Sequence, residues 1–235
     1  MKVLLIIPAY NEAENIASVV NNIIKNYPQY DYLVVNDGST DETEKICFAN
    51  GYNYVSLPLN LGIGGAVQTG YLYARKHDYD IAIQIDGDGQ HDIAYVEDMI
   101  KPLKEGKADV VIGSRFITKE GFQSSASRRT GIFLLSRWIQ LLCFKRVKDV
   151  TSGFRAVNRK FIDIYANNYP SDYPEPEAIV AAYMHGGKIE EVPVVMKERE
   201  NGTSSINFRK SIYYMIKVFI AIFICRISFG IRRAK

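Results

Sequence analysis

Cysteine is scarce in this chain. Cys47, Cys143 and Cys225 stand far apart, with no CxxC pair and no metal-ligand spacing. A thiolate metal centre is therefore excluded, and the three read as small buried hydrophobes of a reducing compartment. Histidine is equally thin: His77 and His185 lie in polar stretches without partners at ligand spacing, which suits surface roles. Low-complexity segments and internal repeats are missing. A net charge of only +3 over 235 residues gives no reason to expect nucleic acid as a partner. The first apolar run, Val3–Ile7, has one lysine before it and Pro8 after it, too short for a secretory signal, so the active site is expected in the cytoplasm.

What remains is ordinary globular material, 47% hydrophobic and 23% charged, enough for one sizeable α/β domain. Val3–Ile7 is an uninterrupted apolar run, as expected of a strand covered on both faces. Helical spacing follows through Ile16, Val19, Val20, Ile23 and Ile24. Further strands are predicted at 32–35, 53–57, 81–85, 109–113 and 192–196, with helical segments after Thr40, after Asn60 and over 131–144. A polar, serine-rich loop is expected at 117–130. Strand–helix alternation with short loops predicts a mainly parallel sheet wrapped by helices, whose ligands bind at the carboxyl ends of the strands. Three polar turns, Pro8–Glu12, Asn36–Ser39 and Asp86–Gln90, converge on that edge.

The turn Asp86-Gly87-Asp88 carries the strongest chemical signal. Two carboxylates one residue apart at a strand end can face one hard cation, Mg²⁺ or Mn²⁺, and the glycine between them lets the backbone approach a ligand. A diphosphate leaving group needs such a cation. Read blandly, Asp and Gly are also favoured turn residues, but the buried strand before them tilts the reading to a site. Asp37 after the second strand suits a base or ribose contact, and equally a capping role in Asp37–Asp41. Asn60-Leu61-Gly62-Ile63-Gly64-Gly65 has neither the Lys-Ser/Thr of a P-loop nor GxGxxG spacing, so tight packing of loop against sheet is the expected role.

Together, Ile7-Pro8-Ala9-Tyr10-Asn11-Glu12, Val35–Asp41, Asn60-Leu61-Gly62, Asp86–His91, Gly113-Ser114-Arg115 and Thr151–Arg155 resemble the motifs of family 2 glycosyltransferases with the A-type, Rossmann-like nucleotide-sugar fold. The dolichyl- and polyprenyl-phosphate sugar synthase branch is the most similar, over roughly residues 3–205. The resemblance implies an inverting, metal-dependent hexosyl transfer from a nucleotide-sugar donor to a lipid-linked (polyprenyl phosphate) or cell-surface polysaccharide acceptor. It implies that Pro8, Tyr10 and Glu12 line base and ribose, with Val35 and Asp37 closing the base pocket. Asp86 and Gly87 would contact ribose and phosphate; Asp86, Asp88 and Gln90 would hold Mg²⁺ or Mn²⁺. Arg115, and Arg199 further on, would reach phosphates. Ser152–Arg155 would shape the acceptor side, and Glu177 would lie near the transferred sugar.

Two departures stand out: His91-Asp92 replaces the usual His-Pro, and Ser205 stands where a lysine is expected. Arg199, Arg128 or Arg129 would then serve the acceptor phosphate, or the acceptor is a sugar hydroxyl. A lipid phosphate needs no general base, whereas a hydroxyl does, and Asp149 and Glu177 are the candidates. The competing readings are a nucleotidyltransferase, for which the first-strand turn lacks Arg and Lys, and a non-catalytic nucleotide-sugar-binding module.

Residues 206–235 differ from the rest. They hold seven basic residues and no acidic one, leaving 22 basic against 26 acidic in the body. Between Lys217 and Arg226 the apolar run is short, about 12 Å as a helix against roughly 30 Å of hydrocarbon, so a clean membrane span is not expected. The expectation is a catalytic domain over 1–205 and a basic-apolar helix over 206–235. That helix would lie in the headgroup region on the inner face of the membrane, bind a small membrane partner protein, form a homodimer, or pack as a core helix.

Overall fold

The computed structural model describes residues 1–118, 120–121, 125–171, 174–197 and 208–233. In chain order the elements are β1 (Val3–Ala9), α1 (Ile16–Asn26), β2 (Asp31–Asn36), α2 (Thr43–Ala49), β3 (Tyr54–Ser56), α3 (Gly62–Lys76), β4 (Ile81–Gln84), α4 (Val96–Lys104), β5 (Val110–Ser114), α5 (Ala126–Cys143), β6 (Arg155–Asn158), α6 (Arg159–Asn167), α7 (Pro174–Met184), β7 (Ile189–Pro193) and α8 (Phe208–Arg233). Seven strands form one sheet in the order β3-β2-β1-β4-β6-β5-β7. β6 runs antiparallel to both neighbours, β4 and β5, while the remaining pairs are parallel.

All seven residues of β1 are buried, because helices cover both faces. Leu4 and Ile6 pack on one side with α3, α5, α6, α7 and α8; Leu5 and Ile7 pack on the other with α1 and α4. That two-sided cover is why the strand reads as continuous hydrophobe rather than as alternation.

The structure departs from the sequence reading at several ends. β1 runs two residues past Ile7, with Pro8 opposite Val35 on β2, so the first polar turn begins at Tyr10. β6 has no counterpart among the predicted strands; its sequence Arg155-Ala156-Val157-Asn158 places only two apolar residues between polar ones, so no apolar run marks it. The last strand is Ile189–Pro193 rather than 192–196. α5 starts at Ala126, inside the expected loop, because the Ser125 hydroxyl accepts the Arg128 N–H and caps it. Of the tail, Phe208–Arg233 form one helix of 26 residues, and it is no loose appendage: Val218 and Ile222 are fully buried in the core. No helix among the described residues is long and apolar enough to cross a membrane.

Candidate functional site

β1, β2, β4 and β5 all end at one edge of the sheet, and the antiparallel β6 starts there. The first two turns are laced together. Asn11, held in the left-handed region at φ 57°, donates its N–H to Ser39 Oγ (2.9 Å) and accepts the Thr40 N–H at Oδ1 (2.8 Å). Asp41 accepts the N–H groups of Ala13 (3.1 Å) and Thr43 (3.0 Å). Tyr10 is left 48% exposed at the rim, and Glu12 accepts from Asn15 Nδ2 at 2.8 Å.

Behind this rim, Asp37 is nearly buried and its Oδ1 accepts the Leu61 N–H at 2.8 Å. Burial pushes its pKa up, partly offset by the N–H groups of Leu61 and Gly62. Its capping role is thus realised, although on the start of α3 and not within residues 37–41. Val35 has no exposed surface and packs in the core, so the expected contact of its side chain with a base is not available. The glycine-rich loop also serves packing. A Cβ on Gly64 would fall 2.1 Å from the Pro170 carbonyl, so it is the 170–171 backbone that presses on the loop, while Gly70 sits against Ile6 of the sheet.

The acidic turn is clamped from below. His91, buried and stacked on Phe154 (centroids 4.9 Å apart), accepts the Asp86 N–H at Nδ1 (2.9 Å). Its Nε2 lies 3.5 Å from the Asp86 carboxylate. Burial lowers the His91 pKa to about 4, so the ring is neutral at pH 7, with its proton on Nε2. Asp88 accepts the Gln90 N–H at 3.0 Å. Gln90 in turn exchanges bonds with Lys197: its Nε2 donates to the Lys197 carbonyl (3.2 Å) and its carbonyl accepts the Lys197 N–H (3.1 Å). Pro8 is buried beneath the turn, and a Cβ on Gly87 would come within 3.1 Å of its carbonyl oxygen. At Gly153 a Cβ would meet Asp86 Oδ1 at 2.9 Å and Gln84 Nε2 at 3.2 Å.

Two arginines flank the turn, and both are spoken for. Arg115 is 8% exposed; its Nε and Nη2 grip Asp149 at 2.7 and 2.6 Å, and Nη2 also reaches Thr151 Oγ1 at 3.0 Å. Asp149 is fully buried, and the N–H of Arg115 also donates to it. The bidentate pair removes Asp149 from the candidates for a general base and anchors the Arg115 guanidinium where it also feels the Asp86 carboxylate. Arg155 donates to the carbonyls of Ser152 (2.8 Å), Glu175 (2.6 Å) and Val150 (3.2 Å), folding the loop before β6 around its guanidinium.

On α7 the acidic residue that meets the site is Glu175. Burial raises its pKa, Arg155 lowers it, and the Asp86 carboxylate raises it further. Glu177, expected near the sugar, adds to the effect of burial in raising the pKa of Cys225 on α8. Two positions along a helix turn a side chain by about 200°, and without knowing that 174–184 is helical the two acids could not be told apart. Arg199 lies outside the described residues, as does Ser205.

Among the described residues no group of three or more His, Cys, Asp or Glu side chains could hold a metal ion alone. The donor set still suits a hard cation. Asp86 and Asp88 offer carboxylate oxygens on a three-residue turn, and Mg²⁺ or Mn²⁺ is commonly held by one or two carboxylates with ligand phosphates and water completing the shell.

The family model described as "Glycosyl transferase family 2" matches residues 4–165. The polyprenol monophosphomannose synthase of Mycolicibacterium smegmatis is 27% identical over 225 residues, 90% of this chain and 84% of that one. The UDP-N-acetylglucosamine–dolichyl-phosphate N-acetylglucosaminyltransferase of Methanococcus voltae is 31% identical over 81% of this chain and 83% of its own. In fold, glucosyl-3-phosphoglycerate synthase from Mycobacterium tuberculosis, solved with Mn²⁺, UDP-glucose and phosphoglyceric acid, superposes with a TM-score of 0.72 at 21% identity, covering 96% of this chain and 79% of that one.

Proposed function

Since this chain belongs to glycosyl transferase family 2, we propose that it transfers a hexosyl group, with inversion, from a nucleotide-sugar to a polyprenyl-phosphate-type acceptor at the cytoplasmic face of a membrane. The observation that carries this reading is the Asp86-Gly87-Asp88 turn, fixed by His91 at the edge where the six mutually parallel strands end. The names of the relatives support the donor and acceptor classes.

Asp86 and Asp88, with Gln90 beside them, would hold a divalent ion, which when bound offsets the charge growing on the departing nucleoside diphosphate. Tyr10 and Glu12 stand at the rim open to base and ribose. Glu175, with its raised pKa, is the carboxyl group suited to a hydrogen bond with the transferred sugar. The lipid phosphate arrives anionic, so no side chain has to remove a proton, consistent with Asp149 being sealed away. Asp149 acts instead as a positioning residue for Arg115 and the 149–155 loop.

The test is transfer of radiolabelled hexose from UDP-, GDP- and dTDP-sugars to a short-chain polyprenyl phosphate, with and without Mn²⁺. One donor should support metal-dependent product formation, and Asp88→Ala should abolish it. If no donor reacts, or Asp88→Ala matches the wild type, the reading fails.

A further inference from the structure

The α5–α8 pair carries an apolar face that is uncovered among the described residues. On α8, Ile216, Ile220, Phe223, Ile224 and Ile227 are each 44–57% exposed. Their spacing of i, i+4, i+7, i+8 and i+11 puts them on one face of the helix. On α5, Leu134 and Leu141 are 52% and 64% exposed, four residues before and three after Trp138, hence on its face.

Trp138 joins the two stripes. Its ring lies 5.7 Å from Phe219 and 6.3 Å from Phe223, and its Nε1 donates to the Phe219 carbonyl (3.3 Å). Arg226 Nε donates to the Leu142 carbonyl (3.1 Å), locking the helices one turn further on. Phe144, 84% exposed at the left-handed end of α5, extends the face.

Charge identifies the occupant. Neither helix contains an acidic residue. Arg137, Lys145, Arg146 and Lys217 are exposed along the stripe or at its end. A second copy of the chain would bring the same cations against these, which disfavours pairing. An anionic lipid surface would meet both the apolar side chains and the cations.

We infer that the composite α5–α8 face, and not the tail alone, is the surface that seats on an anionic bilayer, with the apolar stripe entering the headgroup region. This rests on the polyprenyl-phosphate reading above for its purpose, since a membrane-held acceptor requires the enzyme at the bilayer.

The experiment is sedimentation of the full chain with vesicles of phosphatidylcholine containing phosphatidylglycerol, against phosphatidylcholine alone. The triple variant Leu141→Ser, Ile220→Ser, Ile224→Ser is compared with Phe48→Ser, a control at another exposed apolar site. The wild type and the control should bind the anionic vesicles in a salt-sensitive way, with little binding to neutral ones. The triple variant should bind at least tenfold more weakly with unchanged thermal unfolding. Equal vesicle binding by the triple variant, or none by the wild type, overturns the inference. So does a lipid-free wild-type dimer that the triple variant turns into a monomer. Turnover of a water-soluble short-chain acceptor is measured alongside: its retention in the triple variant separates docking from chemistry, and its absence in every variant indicts the catalytic reading alone.

Discussion

His91 holds Asp86 at both ends, accepting its backbone N–H at 2.9 Å while presenting Nε2 at 3.5 Å from its carboxylate. One neutral, buried ring therefore fixes where the first carboxylate of the acidic turn points. Replacing it with phenylalanine keeps the stacking on Phe154 but leaves the Asp86 N–H without its acceptor. His91→Phe should cost about 1–3 kcal/mol in urea unfolding, and should weaken Mn²⁺-dependent nucleotide binding by calorimetry beyond what the stability loss explains. Wild-type metal affinity in a folded His91→Phe protein would refute the clamp.

Arg115 and Asp149 form the buried ion pair that anchors the loop leading to β6. Removing one member leaves a stranded charge in a dry interior. Asp149→Ala is expected to destabilise the fold by roughly 3–5 kcal/mol. Replacing both at once with Met and Leu should recover most of that, read as the chemical denaturation midpoint, yet leave transfer activity impaired. Full activity in the double variant would remove the pair from any role in shaping the site.

Much of this was legible in the residues. The buried strands end in polar turns, and Asp86-Gly87-Asp88 follows one of them, so the sheet and the edge that carries these turns could be placed from the apolar runs and the turn residues after them. β6 escaped because Arg155-Ala156-Val157-Asn158 contains no apolar run and because its antiparallel direction is set by the sheet. The side chains that matter most here were ambiguous for a related reason. Arg115 and Asp149 looked like separate chemical groups, since nothing in the sequence joins positions 34 apart. Glu175 and Glu177 could not be told apart because a helix face cannot be read in a segment not known to be helical. The burial of Val35 and the clamp on Asp86 are likewise tertiary facts.

Acid should weaken the fold through Asp109, which ties β5 to β6 and β7. Burial pushes its carboxyl up, but the Lys188 N–H (2.9 Å) and Asn158 Nδ2 (2.8 Å) outweigh this and leave its pKa below the ordinary carboxylate value. A lowered folded-state pKa stabilises at pH values above the unfolded-state pKa, near 4, and that contribution disappears as pH falls through the folded-state value. Asp109→Asn should therefore cost about 1 kcal/mol at pH 7. Measured by urea unfolding, its difference from the wild type should shrink toward pH 3. A constant difference across that range would mean the carboxylate's charge is not what matters.

Gln84 is the residue whose substitution should raise stability while harming function. It is fully buried on β4 opposite Arg155, and among the described residues neither its Oε1 nor its Nε2 has a hydrogen-bond partner. Burying a polar group without a bond costs about 1–3 kcal/mol, so the apolar replacement of similar length, Gln84→Met, should stabilise the protein by roughly 1 kcal/mol, or about 2–4 °C in Tm for a chain of this size. The same amide sits behind Asp86, both lying within 3.2 Å of the point where a Gly153 Cβ would be. Losing its dipole there should lower the transfer rate even as Tm rises. Stability gained at the expense of activity is the pattern expected where a site holds a polar group that the resting fold does not satisfy. A lower Tm in Gln84→Met would show that the amide is satisfied in solution, and an unchanged rate would show that it does not act on Asp86.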